Sequence, residues 1–335
     1  MRLYALFLLA LWTLQATSWN VVLRQAAEWY SSAEAIRIAD NVLQYQHPSG
    51  GWDKNIDMAA PLAADPKVEW ATIDNGATYT QLRFLAKVYL ASKEEKYAAA
   101  FRKGLRYLLE AQYENGGWPQ YYPLRKGYYT HITFNDDAMI GVMELLRDIR
   151  DRQPGFAFLS AADRDSAGKA IDKGVACILK CQIVVDGKRT VWCAQHDEVT
   201  FAPAQARAYE FPSLSGMESV GITRFLMGID KPTPEIIDSI QSAVAWFESA
   251  KLTAIREVRK DGDKVTVKDP TAPPLWARFY EIGTNRPIFS GRDSVIRYNM
   301  SEIESERRNG YRWYVDQPGK LLAVDYPKWQ TRIKR

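Results

Sequence analysis

The sequence predicts a mainly helical, all-α fold: a stack of about three repeated helix pairs, closed into an (α/α) toroid or barrel or open as a solenoid, with short β-hairpins in its loops. The first of two observations is a recurring corner. Gly50-Gly51-Trp52 returns as Gly116-Gly117-Trp118, 66 residues later. Each copy follows a helix-like run ending in glutamine, NVLQYQ before the first and LRYLLEAQ before the second. A third such run, Gly174–Gln182, leads to Trp192 without the paired glycines. The second observation is a common order of segments after each tryptophan. An irregular polar segment comes first, then another apolar pattern of helical period, starting in Ala77–Leu90, Ala138–Ile149 and Ser215–Phe225. Within the first of these, Tyr79, Leu82, Leu85, Ala86 and Tyr89 recur at helical spacing. A helical hairpin repeated at intervals cannot bury its apolar face alone, so the units must stack.

The remaining segments fit that frame. KPTP starts an amphipathic helix within Pro232–Leu252, and Val258–Val267 reads as a hairpin turning at Asp261-Gly262. A proline-rich loop covers Asp269–Leu275, and a last helix is expected near Val295–Arg308. Met1–Leu14 has one positive charge and an apolar run too short to span a bilayer, followed by Leu14-Gln15-Ala16. It reads as a cleaved export signal over residues 1–16, which leaves one catalytic-sized domain over residues 17–335. The expected location is therefore the periplasm or the medium, without a membrane anchor.

Three cysteines, Cys177, Cys181 and Cys193, give no disulfide framework. The pair one helical turn apart lacks the further cysteines or histidines of a zinc site and reads as small buried residues. The net charge of +4 is spread among nearly as many acids, which argues against nucleic acid and is compatible with an acidic substrate. No HExxH, GxGxxG or serine elbow is present. Nothing demands an oligomer, so a monomer is expected.

Two short stretches carry the chemistry. Thr72–Thr78 reads TIDNGAT and Thr133–Met139 reads TFNDDAM, so the same acidic entrance stands before two helices. In a toroid, equivalent loops lie at one end, and the two entrances would supply Asp74, Asp136 and Asp137 to one cleft. These acids and the adjacent Asn75 and Asn135 can also cap helices or favour a helix dipole. Clustered carboxylates and amide oxygens suit a hard cation such as calcium. They equally suit a general acid and base in glycoside hydrolysis, and spacing does not choose. Lys54, Arg125, Lys126, Arg207, Arg286 and Arg292 stand in loops, where guanidinium forks would match the carboxylates of uronate sugars. Trp52 and Trp118 read as packing; Tyr121, Tyr122, Tyr128 and Tyr129 gather near the same loops.

The blocks GGWDKNIDM, TIDNGATYTQLRFLAKVY, NGGWPQYYPLRKGYYTHITFNDDAM, VWCAQHDEVTFAPAQARAYEFPSLSG and WARFYEIGTNRPIFSGRD together resemble a family 10 polysaccharide lyase, a pectate lyase. The resemblance runs from about Ile36 to Trp329 and departs at Asp53, where the family is expected to carry proline. It implies a toroid of helix pairs and cleavage of polygalacturonate by calcium-assisted β-elimination. By that resemblance Arg207 would be the base that takes the C5 proton. Asp136 would hold calcium with Asp74 in support, and the acidic cluster itself offers Asp137 as a further ligand. Lys54, Asn75 and Arg286 would contact substrate, and Arg292 joins them as a candidate contact from its place in a polar loop. Arginine holds its proton tightly, so a base at Arg207 calls for burial and nearby cations, and for an alkaline optimum. An inverting hydrolase with paired carboxylates and a non-catalytic uronate-binding protein are the competing readings.

Overall fold

The computed structural model describes residues 17–62 and 70–334. The expected export signal lies outside the described residues.

Seven helices form the body: α1 Ala33–Gln44, α2 Tyr79–Ser92, α3 Glu95–Glu110, α4 Ala138–Arg150, α5 Ala161–Cys181, α6 Glu218–Met227 and α7 Pro234–Ser249. The helices α2, α4 and α6 lie side by side as an inner layer. The others pack outside them, with α3 against α2, α5 against α4 and α7 against α6. This is the expected mainly helical toroid of helix pairs. Start signals hold where side chains cap: Ser32 caps α1, Ser160 forms a capping box with Asp163, and Thr233 caps α7 ahead of Pro234.

The recurring corner is a joint with a defined chemistry. Each tryptophan is buried and donates its indole N–H to a backbone carbonyl near the end of the preceding outer helix. Trp52 bonds to Val42 O, Trp118 to Leu108 O and Trp192 to Ile178 O, at 2.8, 2.8 and 2.7 Å. The glutamine that closes each helical run is a second pin. The side chains of Gln46, Gln112 and Gln182 each donate twice, once into their own corner and once to a carbonyl of the next outer helix: Ala100, Ala170 and Ser239. Glycine is required at Gly116, where φ is +94° and a Cβ would stand 2.0 Å from Lys173 O.

A fourth joint exists that spacing hides. The Trp276 indole donates to Phe247 O of α7 at 2.8 Å, but 29 residues separate the pair where 10 suffice in the first two repeats. The intervening chain carries the hairpin Ile255–Lys260 and Asp263–Lys268, which turns at Asp261 and Gly262 with both φ positive. That is the turn the Asp-Gly signal predicts.

Two expectations fail at helix ends. The helix near Val295–Arg308 is only α8, Ser305–Gly310, preceded by a short antiparallel pair, Phe289–Ser290 with Ile296–Arg297. The chain ends in α9 Gln317–Lys320 and α10 Tyr326–Ile333, the latter held by buried Trp329. Nor do the acidic entrances cap: Thr78 and Asp137 hold the N-cap positions of α2 and α4, and neither makes a cap hydrogen bond. All three cysteines are free and buried, as expected for small core residues.

Candidate active site

The two acidic entrances share one backbone course. Each is a short 3-10 turn, Asp74–Gly76 and Asn135–Asp137, inserted ahead of the helix. Asn75 and Asp136, equivalent residues, both have φ +50°. Non-glycine residues enter this left-handed region rarely, asparagine and aspartate most readily. Asp137, left-handed as well, holds the N-cap position of α4 without capping it, and the carboxylates of Asp74 and Asp136 are left for other partners.

Those partners meet in a cavity of about 150 Å³ lined by Lys54, Asn55, Asp74, Asn75, Gln120, Tyr128, Asn135, Asp136, Gln195, Arg207 and Glu210. Asp74 lies at its base, 3% exposed, ion-paired to Lys54 and accepting from Gln120 Nε2 at 2.6 Å. Burial alone would lower the lysine's pKa, but the charge of Asp74 outweighs it and holds the pKa above the ordinary value. Asp136 accepts from Arg278 Nη2 at 3.1 Å and from its neighbour Asn135 at 2.8 Å. Desolvation pushes the Asp136 carboxyl above the ordinary aspartate range; Arg278 opposes this, while Glu218 and Asp74 reinforce it. Arg278 is itself buried and bonds Glu218 at 2.5 Å and Asn135 at 3.0 Å.

Arg207 is the cation of the opposite wall. Its Nε and Nη2 donate to both oxygens of Glu210, at 2.8 and 2.6 Å, and Tyr311 donates its hydroxyl to the same carboxylate at 2.6 Å. Its guanidinium lies over the Tyr209 ring, part of a second apolar cluster with Phe279, Phe289 and Trp313. The charge it bonds is thus an anion, while Arg307, over the same Tyr209 ring, is the neighbouring cation expected from the sequence. Burial would lower the Arg207 pKa, but Glu210 more than offsets it and holds the proton more tightly than usual.

Of the expected site residues, the structure brings Lys54, Asp74, Asn75, Asp136 and Arg207 to this one cavity and leaves three outside its lining. Asp137 backs onto α6, where a Cβ on Gly221 would come within 2.2 Å of its Oδ1. It keeps solvent access, yet desolvation in this concave corner, with Glu218, Glu144 and Asp136 nearby, pushes its pKa up to about 6. Arg286 sits on an exposed turn with its guanidinium 3.5 Å from the Tyr298 ring centroid. Arg292 pairs with Glu306 at 3.1 Å, and both are largely exposed.

Sequence reasoning missed Gln120, Gln195, Glu210, Glu218 and Arg278. A signal existed for two of them. Lys54, Gln120 and Arg278 each stand two residues after an anchoring tryptophan, Trp52, Trp118 and Trp276, so this position faces the site in three of the four joints.

The donor set suits a hard cation. Asp74 Oδ1, Gln120 Oε1 and Gln195 Oε1 are buried without a hydrogen bond, and all three residues line the cavity beside Asp136. Buried polar oxygens are nearly always satisfied, and carboxylate with amide oxygens is the ligand chemistry of calcium. A second cluster, His131, Asp197 and Glu198, brings three possible ligand atoms within 4.8 Å of one another. Its members are already occupied: His131 bonds Glu198 at 2.9 Å, and Asp197 Oδ1 accepts from Val199 and Thr200. A larger groove of about 780 Å³ lies between the hairpin and residues 309–316, but of the groups around the acidic cavity it shares only Arg278 and Tyr311.

Comparison with known proteins accords with this geometry. A family model of pectic acid lyases matches residues 46–322. The chain is 36% identical to a family 10 polysaccharide lyase from Cellvibrio cellulosa, with a TM-score of 0.81 over 91% of this chain and 95% of that one. An aspartate-to-alanine mutant of a family 10 polysaccharide lyase from the same organism, solved in complex with trigalacturonic acid, matches at the same identity. Its TM-score is 0.82 over 92% of this chain and 96% of that one. No curated protein sequence matches.

Proposed function

The chain belongs to the pectic acid lyase family, family 10 of the polysaccharide lyases, and from that membership we propose that it is an exported enzyme that cleaves polygalacturonate by calcium-assisted β-elimination with Arg207 as base. The observation that supports this reading most is the convergence of Asp74, Asp136 and Arg207 on one cavity that also holds unpaired buried oxygens.

In β-elimination the C5 proton leaves, a C4=C5 double bond forms, and the C4–O glycosidic bond breaks. The departing oxygen takes a proton from solvent. Removing a proton beside an ionised carboxylate builds a second negative charge, which is the main barrier. Asp136 would hold calcium, with Asp74 in support, and the bound ion would supply Lewis-acid withdrawal of charge from the substrate carboxylate. Lys54 and Arg278 add fixed positive charge where negative charge develops, at no cost in reorganisation. Asn75 and Gln195 offer amide groups to sugar hydroxyls. Arg207 can accept the C5 proton only from its neutral form, and Glu210 opposes that form. Turnover must therefore rise with pH well above neutral. No helix among the described residues is long and apolar enough to cross a membrane.

One assay tests the reaction. With polygalacturonate and calcium, the protein should generate ultraviolet-absorbing unsaturated ends, chelator should stop it, and Arg207→Ala should abolish it. Reducing ends without that absorbance would identify a hydrolase. Near-wild-type elimination by Arg207→Ala would remove arginine as the base.

A further inference from the structure

The loop between Tyr121 and Thr130 carries an array of cations and aromatic rings that the elimination itself does not use. Arg125 stands over two rings, 4.4 Å from the Tyr129 centroid and 5.4 Å from that of Tyr121. Those rings meet edge to face at 5.2 Å, and Tyr128 lies against Tyr129 at 4.1 Å. Lys54 closes the array from the other side, 5.6 Å from the Tyr121 centroid. Its two ends, Lys54 and Tyr128, both line the cavity. The array is thus continuous with the site.

Three properties give it the character of a binding surface. It is tied down at the backbone, since Gln120 N–H donates to Tyr129 O at 3.0 Å and Tyr113 donates its hydroxyl to Thr130 O at 2.7 Å. Its guanidinium is uncommitted: Arg125 has no ion pair or hydrogen bond among the described residues, whereas Arg207 and Arg278 are each held by a carboxylate. Finally, a guanidinium positioned over aromatic faces keeps its N–H donors available and loses little freedom when a planar carboxylate docks.

We propose that Arg125, presented by Tyr121 and Tyr129, binds the carboxylate of a galacturonate unit beyond the cavity, so that the loop is an outer subsite for de-esterified uronate chain. Tyr128 offers an aromatic face to the sugar between that unit and the cavity. A methyl ester at this unit would leave the guanidinium without its anionic partner, so the subsite selects the free acid. The proposal rests on the uronate-lyase reading for its ligand class.

The test uses the full mature chain and hexagalacturonate. Arg125→Gln should lower kcat/KM roughly tenfold through KM, as expected for loss of a charge-assisted fork. Arg125→Lys, which keeps charge without the fork, should recover part of that loss. Unchanged KM in Arg125→Gln, with an unchanged melting temperature, overturns the subsite. Calorimetric titration of hexagalacturonate into Arg207→Ala and Arg207→Ala/Arg125→Gln separates this from the reaction itself. A roughly tenfold weaker Kd in the double variant supports the subsite even if the wild type makes no unsaturated product, an outcome that would fail the elimination reading alone. Equal Kd values, or no binding by either, overturn it.

Discussion

The corners at residues 72–78 and 133–139 follow the same course as far as Gly76 and Asp137, after which the second enters its helix at once, and they differ in where the charge sits. In the first, the acid is Asp74, the residue before the left-handed one, and it points inward to Lys54 and Gln120. In the second, that place is taken by Asn135, and the acid is the left-handed residue itself, Asp136, with its side chain 31% exposed beside Arg278. The repeat supplies the turn, and a one-residue offset of the acid supplies two environments. One carboxylate is buried and neutralised by its own ion pair. The other, though paired with Arg278, is raised in pKa by burial and lines the cavity.

The contrast between the corners can be broken most sharply at Asp136. Asp136→Asn should lower kcat/KM by about 10²- to 10³-fold, because the neutral amide no longer supplies the negative charge that would hold calcium against the developing charge on the substrate. Moving the acid back, with Asn135→Asp added to Asp136→Asn, copies the first corner and should not restore turnover. Recovery to half of wild-type activity would show that the offset carries no function. A stability test compares the joints beneath the corners. Gly116→Ala should cost about 3 kcal/mol in chemical denaturation and Gly50→Ala somewhat less, since strained φ and a backbone clash act together at both. The order follows from the closer approach at Gly116, 2.0 Å to Lys173 O against 2.5 Å to Lys103 O at Gly50. Equal costs would mean that the two joints yield alike.

The smallest effect belongs to Asp137. Its pKa rises from 3.8 to about 6 on folding, so its ionisation works against the folded state. The wild type is unpenalised below about pH 4, loses stability as pH rises through 6, and carries the full penalty above that. Asp137→Asn should therefore stabilise at about pH 8 and be neutral at about pH 4. Discounted for the exposure of this side chain, the gain is on the order of 1 kcal/mol. The same gain at both pH values would show that charge is not its origin.

Much of this was legible because the repeats preserve hydrogen-bonding residues as well as apolar period. Gly-Gly-Trp and the preceding glutamine mark the first two joints, and glutamine with tryptophan the third, and the helix after each of these joints begins within three residues of where the pattern places it. The fourth escaped because a hairpin lengthens the gap between Phe247 and Trp276, and a fixed-offset search cannot see through an insertion. Arg278 escaped with it. Glu210 was hidden for a different reason: a carboxylate three residues from an arginine in a polar loop is most often a solvated surface pair, and only the ring stack behind it turns this one inward. The capping expectation failed because side-chain chemistry indicates which residues can cap, but not whether a 3-10 turn will intervene. Arg286 and Arg292 are put forward by their place in polar loops, Arg286 also by the family resemblance, and neither lines the cavity.

The insertion that hid the fourth joint enters and leaves through one clasp, in which Leu252 and Leu275 exchange both backbone hydrogen bonds, at 2.8 and 3.0 Å. With its two ends pinned side by side, the segment from residue 253 to 274 leaves and rejoins the body at one place, while its hairpin is held to α8 through Asp263 and Arg308 and to Tyr311 O through Lys264. Lengthening such a closed excursion adds only a slowly growing entropic charge. The tip at Asp261 and Gly262, where a Cβ on the glycine would meet nothing within 4 Å, can therefore take an insertion such as a carbohydrate-binding module while those contacts and the carboxylates of the cavity keep their places.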